Sequence, residues 1–121
     1  MSGEILEIAT PDLVTETEPK GDRITVRFVG SAESVTRDDL AAYLTAIHEL
    51  ALETKAVEVV FDLRALEFMS AACLRSMLAW LCELERAPRY VARFVPDGKS
   101  HWQRRSLESL ASIGGEVVRL G

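Results

Sequence analysis

Apolar and polar residues alternate along residues 23–29, and this alternation predicts a strand with one buried face. The buried face would carry Ile24, Val26 and Phe28. A second β-prone segment, residues 13–18, precedes this strand, and residues 19–22 between them contain the proline and glycine that favour a turn. The two segments therefore predict an antiparallel hairpin.

Three further segments carry apolar residues at helical spacing, which predicts amphipathic helices. They span residues 36–54, 71–85 and 100–114. Thr36 and Ser100 are the expected N-caps of the first and third helices, because a hydroxyl oxygen at that position accepts a bond from the first free amides.

Strand patterns separate and follow the helices. Residues 57–63 are almost all apolar, which predicts a central strand buried on both faces, as in parallel pairing. Shorter strands are predicted at 90–95 and 116–120. The order β-β-α-β-α-β-α-β predicts one α/β domain, with helices packed on a mixed, mostly parallel sheet of four or five strands. Residues 1–11 are expected to be a tail or an edge strand, ahead of a domain at 12–121.

Composition and charge mainly exclude certain partners and locations for this chain. The chain has 121 residues, a net charge of -5 and 48% hydrophobic residues, which fits one ordinary globular domain. The acidic balance speaks against a nucleic-acid partner. The sequence contains no apolar run long enough to cross a membrane and no secretory signal, so a cytoplasmic location without membrane attachment is expected.

The cysteines and histidines form no recognisable reactive set. Cys73 and Cys82 fall on one predicted helix, where they cannot form a disulfide, and they match no metal-ligand spacing. We expect two buried thiols, no metal and no cofactor. His48 and His101 have no evident orienting carboxylate beside them, so the chain is not expected to be an enzyme.

The junction between the central strand and the second helix is the most informative part of the chain. A predicted loop at residues 66–69 leads there into small residues that open an apolar helix. The first amides of a helix are free to meet a partner or an anion. In order, the residues after the loop are Ser70, Ala71, Ala72, Cys73 and Leu74.

The element order, the strand end at Asp62 and Leu63, and the pair Phe68 and Met69 resemble the STAS domain of bacterial anti-sigma factor antagonists. The resemblance covers residues 12–120. It implies a STAS fold and a bacterial signalling role in which the domain binds an anti-sigma factor that is also a serine kinase. In that family the helix opens with Asp-Ser-Ser-Gly-Leu, and the partner kinase phosphorylates the second serine.

The chain departs from that motif at the residue on which the family's switch depends. Ala72 stands at the phosphoacceptor position and has no hydroxyl, while Ser70 replaces the aspartate. The resemblance therefore implies partner binding without phosphorylation at the usual site. Ser70 is the alternative phosphate acceptor, although N-capping is the role expected of a serine there. The implied contact residues are Phe68, Met69, Ser70, Ala71, Ala72, Cys73, Leu74, Arg75 and Ser76.

A second candidate surface is a basic patch with one aromatic residue at the start of the third helix. It consists of Lys99, Trp102, Arg104 and Arg105. One interpretation is a contact for an acidic partner or an anion, since arginine and tryptophan are common in interfaces. The other is a solvated helix face, with the tryptophan packed against the core.

Two other classes of function stay open. One is a STAS domain that senses a small molecule or nucleotide, which would need a pocket near the start of the second helix. The other is a structural subunit of a signalling assembly. The sequence leaves both a monomer and a homodimer open.

Overall fold

The computed structural model describes residues 7–121, and within this range it contains five strands and three helices in the predicted order. The strands are β1 (Leu13–Lys20), β2 (Arg23–Ala32), β3 (Glu58–Met69), β4 (Val91–Val95) and β5 (Val118–Leu120). The helices are α1 (Arg37–Thr54), α2 (Ala71–Arg86) and α3 (His101–Gly114), with 3-10 turns at Ser34–Thr36 and Gly115–Val117. The predicted α/β class is confirmed.

The sheet runs in the order β1-β2-β3-β4-β5, and only the first pair is antiparallel. Lys20 pairs with Arg23, so the hairpin closes through Gly21 and Asp22 alone, a tighter turn than the predicted one at 19–22. Gly21 has a φ of 62°, a left-handed conformation that glycine adopts at little cost.

The segment before β1 also contacts the sheet. Ile8 is buried in the core, its amide donates to Thr15 Oγ1 at 2.8 Å, and its carbonyl accepts from the Thr15 amide at 3.0 Å. Part of the segment predicted as a tail or edge strand, residues 7–11, therefore lies along β1, while residues 1–6 lie outside the described range.

One face of the sheet forms the core together with the helices. Phe28, Phe61 and Phe94 stand on adjacent strands of that face, with ring centroids 6.0 Å and 5.1 Å apart. The apolar stripes of all three helices belong to the same buried cluster. In β2 the alternation is as predicted, since Ile24, Val26 and Phe28 are buried and the residues between them are exposed.

The other face of β3 is covered by arginine side chains. Glu58 and Asp62 are buried there, although the sequence predicted an apolar environment on both faces. Glu58 pairs with Arg23 Nε at 3.1 Å from Oε1 and with Arg93 Nε at 2.9 Å from Oε2. Long arginine stems can shield a carboxylate without a helix above it, which an apolar run in the sequence does not reveal.

Strand β3 is much longer than predicted. The expected loop at 66–69 is wrong, because the strand continues to Met69 against a β2 that itself extends to Ala32. The register shifts twice along this extension, between Arg27 and Val29 and again between Gly30 and Ser31, so β3 accommodates one extra residue at each bulge. Such bulges leave backbone groups without a partner in the ladder.

Gln103 of α3 supplies partners to β3 beyond Asp62, where the pairing of β3 with β4 ends. Its side chain is fully buried, and its Nε2 donates to the carbonyls of Leu63 and Leu66, both at 2.8 Å. Its Oε1 accepts from the Asp97 amide at 2.8 Å. One side chain therefore fixes the end of β3 and the loop before α3, a role that no local sequence pattern indicates.

Two smaller predictions are wrong. Thr36 does not cap α1 with its side chain; its Oγ1 donates to the Glu33 carbonyl at 2.6 Å, because a 3-10 turn precedes the helix. Cys82 is exposed rather than buried, whereas Cys73 is buried as predicted. The two residues lie nine positions apart, which places them on opposite sides of α2.

We predict that Gln103→Leu lowers the free energy of unfolding by about 2–4 kcal/mol, because it leaves two carbonyls and an amide buried without partners. Urea denaturation measures this difference. Ser112→Leu, at an exposed position of the same helix, is the control and should stay within about 0.5 kcal/mol of wild type. An equally small change in the free energy of unfolding for Gln103→Leu would contradict the stabilising role of the Gln103 hydrogen bonds.

A second prediction concerns the ion pair beside the first bulge. Arg64 donates to Asp62 with Nε at 2.9 Å and Nη2 at 2.8 Å, and these bonds hold the pKa of the Asp62 carboxyl below its usual value. A lowered pKa in the folded state stabilises the protein above the unfolded pKa of about 4, and this contribution is lost as the pH falls through the folded value.

Asp62→Asn should therefore be less stable than wild type at pH 7, and the difference should shrink steadily as the pH is lowered below 4. Denaturant unfolding at several pH values gives the comparison. A difference that stays constant across this range would show that the carboxylate's charge is not involved.

Candidate functional site

The start of α2 is fixed to the end of β2. The Ser70 amide donates to the Ala32 carbonyl at 2.8 Å, and Ser70 Oγ accepts from the Cys73 amide at 3.1 Å. Ser70 is buried, so its hydroxyl serves as the predicted N-cap of α2. The prediction of capping is confirmed, and the geometry speaks against Ser70 as a phosphate acceptor.

A second contact brings the 3-10 turn Ser34–Thr36 to the same place. Cys73 is fully buried, and its Sγ lies 3.2 Å from the Glu33 carbonyl, to which the thiol donates. Val35 in this turn is 82% exposed, the most exposed large apolar residue in the described range. Sequence reasoning missed Val35, because it fell in a segment predicted only as a loop.

The predicted contact residues divide by exposure. Phe68 is 45% exposed, and Ala71 and Arg75 are also exposed. Partly exposed are Met69, Ala72, Leu74 and Ser76. Ser70 and Cys73 are buried and hold the helix in place, so their side chains are not available to a partner.

We group the accessible residues around this junction as the helix-entry surface: Val35, Phe68, Ala71, Ala72 and Arg75. Arg75 lies four positions after Ala71 and three after Ala72 along α2, so it neighbours both alanines on the helix surface. The surface combines two exposed apolar side chains, two methyl groups and one positive charge. It offers a place for close contact and no group suited to bond-making chemistry.

The basic patch adjoins this surface through its tryptophan. Trp102 is half-buried against the core, and its Nε1 donates to the Glu67 carbonyl at 2.9 Å, at the second bulge of β3. This position fits the interpretation in which the tryptophan packs against the core. Lys99, Arg104 and Arg105 are exposed.

Residues 7–121 lack the side-chain group that a metal site needs and the kind of helix that spans a membrane. Residues 7–121 contain no group of three histidine, cysteine, aspartate or glutamate side chains that could hold a metal ion. Within the same range, none of the helices has the length and apolar character needed to span a bilayer. Tyr43 and Tyr90 have raised pKa values because both phenols are buried, so both stay protonated at neutral pH.

Comparison with solved structures finds the same fold in anti-sigma factor antagonists. An anti-sigma factor antagonist from Mycobacterium paratuberculosis is 19% identical, with a TM-score of 0.68 over 93% of this chain and 90% of that one. The Bacillus cell fate determinant SpoIIAA in its phosphorylated form is 17% identical, with a TM-score of 0.61 over 88% of this chain and 90% of that one.

The anti-sigma factor antagonist SpoIIAA in its unphosphorylated form gives a TM-score of 0.58 at 18% identity, over 78% of this chain and 81% of that one. By sequence, no protein-family model matches the chain, and no curated protein matches it. The chain therefore has the STAS-type fold that the sequence resemblance predicted.

The cap at Ser70 yields a third prediction. Ser70→Ala should lower the free energy of unfolding by about 1 kcal/mol, since it removes an N-cap, whereas Ser70→Asp should retain most of the stability because aspartate also caps helices. Thermal or urea denaturation of the two variants gives the comparison. Equal losses in both would mean that the hydroxyl of Ser70 does not act as a cap.

Proposed function

We propose that this chain is a protein-interaction module of bacterial signalling that binds an anti-sigma factor or a related serine kinase through the helix-entry surface. Two observations support the proposal: the fold likeness to anti-sigma factor antagonists, and an accessible surface at the helix start to which the sequence resemblance assigns partner binding. In this role the chain acts by binding and not as an enzyme.

The exposure of Ala71 and Ala72 is the observation that carries the proposal. Small side chains at the first turn of α2 allow the backbone of a partner to come close. Phe68, three positions before Ala71 in the chain, offers an exposed apolar side chain of the kind that anchors interfaces, and Val35 adds apolar area. Arg75 adds a charge that favours an acidic group on the partner.

The proposed module has one binding state with respect to phosphate at this site. A phosphate would add a charge of about -1.5 to -2 at the helix start. Ala72 has no hydroxyl to accept it, and the Ser70 hydroxyl is buried and bonded to the Cys73 amide. Binding would then be set by the amount and state of the partner.

Ala72→Glu tests the surface, because it places a negative charge where the partner is proposed to dock. We expect the affinity for the principal partner, first identified by pull-down from native lysate, to fall at least about tenfold, since an unpaired charge in an interface is costly. Calorimetry with the purified partner measures the change. The matched control is Ala42→Glu, an exposed alanine of α1, which should bind like wild type.

Equal affinity of wild type and Ala72→Glu for that partner would place the interface elsewhere and refute the proposal. If both glutamate variants weaken binding equally, the effect is one of net charge and the helix-entry surface is again not the docking site. Far-UV circular dichroism of both variants checks that α1 and α2 remain folded.

A further inference from the structure

A groove of about 550 Å³ runs between α1 and α2, within the size range of small-molecule sites. Its walls are mainly apolar and include Leu44, Leu52, Ala79 and Trp80. It extends from Ser76 towards Ala87 and Arg89, so it lies along the middle and end of α2 rather than at its start. The groove shares no residue with the helix-entry surface, and it begins one turn beyond Ala72, since Ser76 lies four positions after that residue.

The indole ring of Trp80 forms part of the groove wall and is held rigidly there. Trp80 is only 9% exposed, and its Nε1 is buried with no hydrogen-bond partner among residues 7–121. Its ring packs edge-on against Phe61, with centroids 5.3 Å apart, so the indole is held in place. Because Nε1 is covered by the chain's own atoms, a ligand in the groove meets the ring of Trp80 and not its N–H.

The charged and titratable groups of the groove leave a positive charge unpaired. Glu83 pairs with Arg86 at 3.1 Å. Arg89 has no ion-pair partner in the described part of the chain, and it lines the groove. His48 is bonded through Nδ1 to the Tyr90 hydroxyl at 2.7 Å, so the ring is oriented and its Nε2 remains for a ligand.

We propose that this groove binds a small amphipathic carboxylate, with its apolar body between α1 and α2 and its carboxylate at Arg89. A carboxylate offers acceptors only, and the unpaired group of the groove, the Arg89 guanidinium, offers donors only. An apolar body matches Leu44, Leu52 and the face of Trp80. This site goes beyond the proposed partner binding and does not depend on it.

Octanoate is the probe, compared with octanol and octylamine, which have the same chain length and different head groups. The chain contains two tryptophans, so a spectrum of the ¹⁵N-labelled protein shows two indole N–H signals. We expect octanoate to shift the Trp80 signal saturably and to leave the Trp102 signal in place. Octanoate should bind about three- to tenfold more tightly than octanol, and octylamine more weakly than either.

Two variants assign the contacts. Arg89→Ala should reduce octanoate affinity by about the same three- to tenfold and leave octanol affinity unchanged. Arg37→Ala, an arginine of α1 outside the groove, is the matched control and should change neither. Ala79→Phe places a ring at an exposed position of the groove wall and should abolish binding of both ligands without unfolding the protein.

Three results would each overturn the proposal. The first is no saturable shift of the Trp80 signal at octanoate concentrations up to about 5 mM, the weak end of specific binding. The second is octylamine binding as tightly as octanoate, which would remove the preference for a carboxylate. The third is unchanged octanoate affinity in Arg89→Ala.

Discussion

The hydrogen bonds of Gln103 to the bulged end of β3 are the constraint on which the rest of the site depends. β4 pairs with β3 only as far as Asp62, and beyond that point the amide of Gln103 donates from inside the core to the carbonyls of Leu63 and Leu66. Trp102 next to it holds the second bulge through the Glu67 carbonyl. These bonds supply partners on one side of the extension of β3 to Met69, and β2 pairs with its other side.

The position of the helix-entry surface follows from that strand end. Met69 pairs with Ala32, the next residue caps α2, and the thiol of Cys73 ties the 3-10 turn to the helix. Each of these bonds uses a side chain or amide that the sequence had placed among the partner contacts. The buried residues of the junction hold the start of α2 in place, and their exposed neighbours make up the helix-entry surface.

Ser70, Ala72 and Cys73 differ from the motif of anti-sigma factor antagonists, which the sequence resembles, and the structure gives each of the three a different role. Serine in place of aspartate at position 70 keeps an N-cap, since both side chains accept a bond from a helix amide. Cysteine in place of glycine at position 73 adds a buried donor that holds Glu33. Alanine at position 72 adds no hydrogen bond to the structure. Its effect is that the accessible first turn of α2 has no hydroxyl group at this position.

The sequence predicted the order of elements, the hairpin, the caps at Ser70 and Ser100, and the fold, because each depends on local pattern. It missed the length of β3, since a bulged edge of Arg64, Ala65 and Glu67 does not alternate like a strand. It also missed Val35, Gln103 and the groove, which exist only through contacts between distant segments. The periodicity of apolar residues predicts which face of a helix or strand is buried, but it does not predict which other segment packs against that face.

The most direct measurement is methyl NMR of the protein on addition of its purified partner. We expect the methyl signals of Ala71, Ala72 and Val35 to shift or broaden together, because partner atoms cover them, while the exposed Ala42 methyl of α1 stays unchanged. Perturbation confined to α1 or to the outer face of the sheet, with those three signals unmoved, would contradict it.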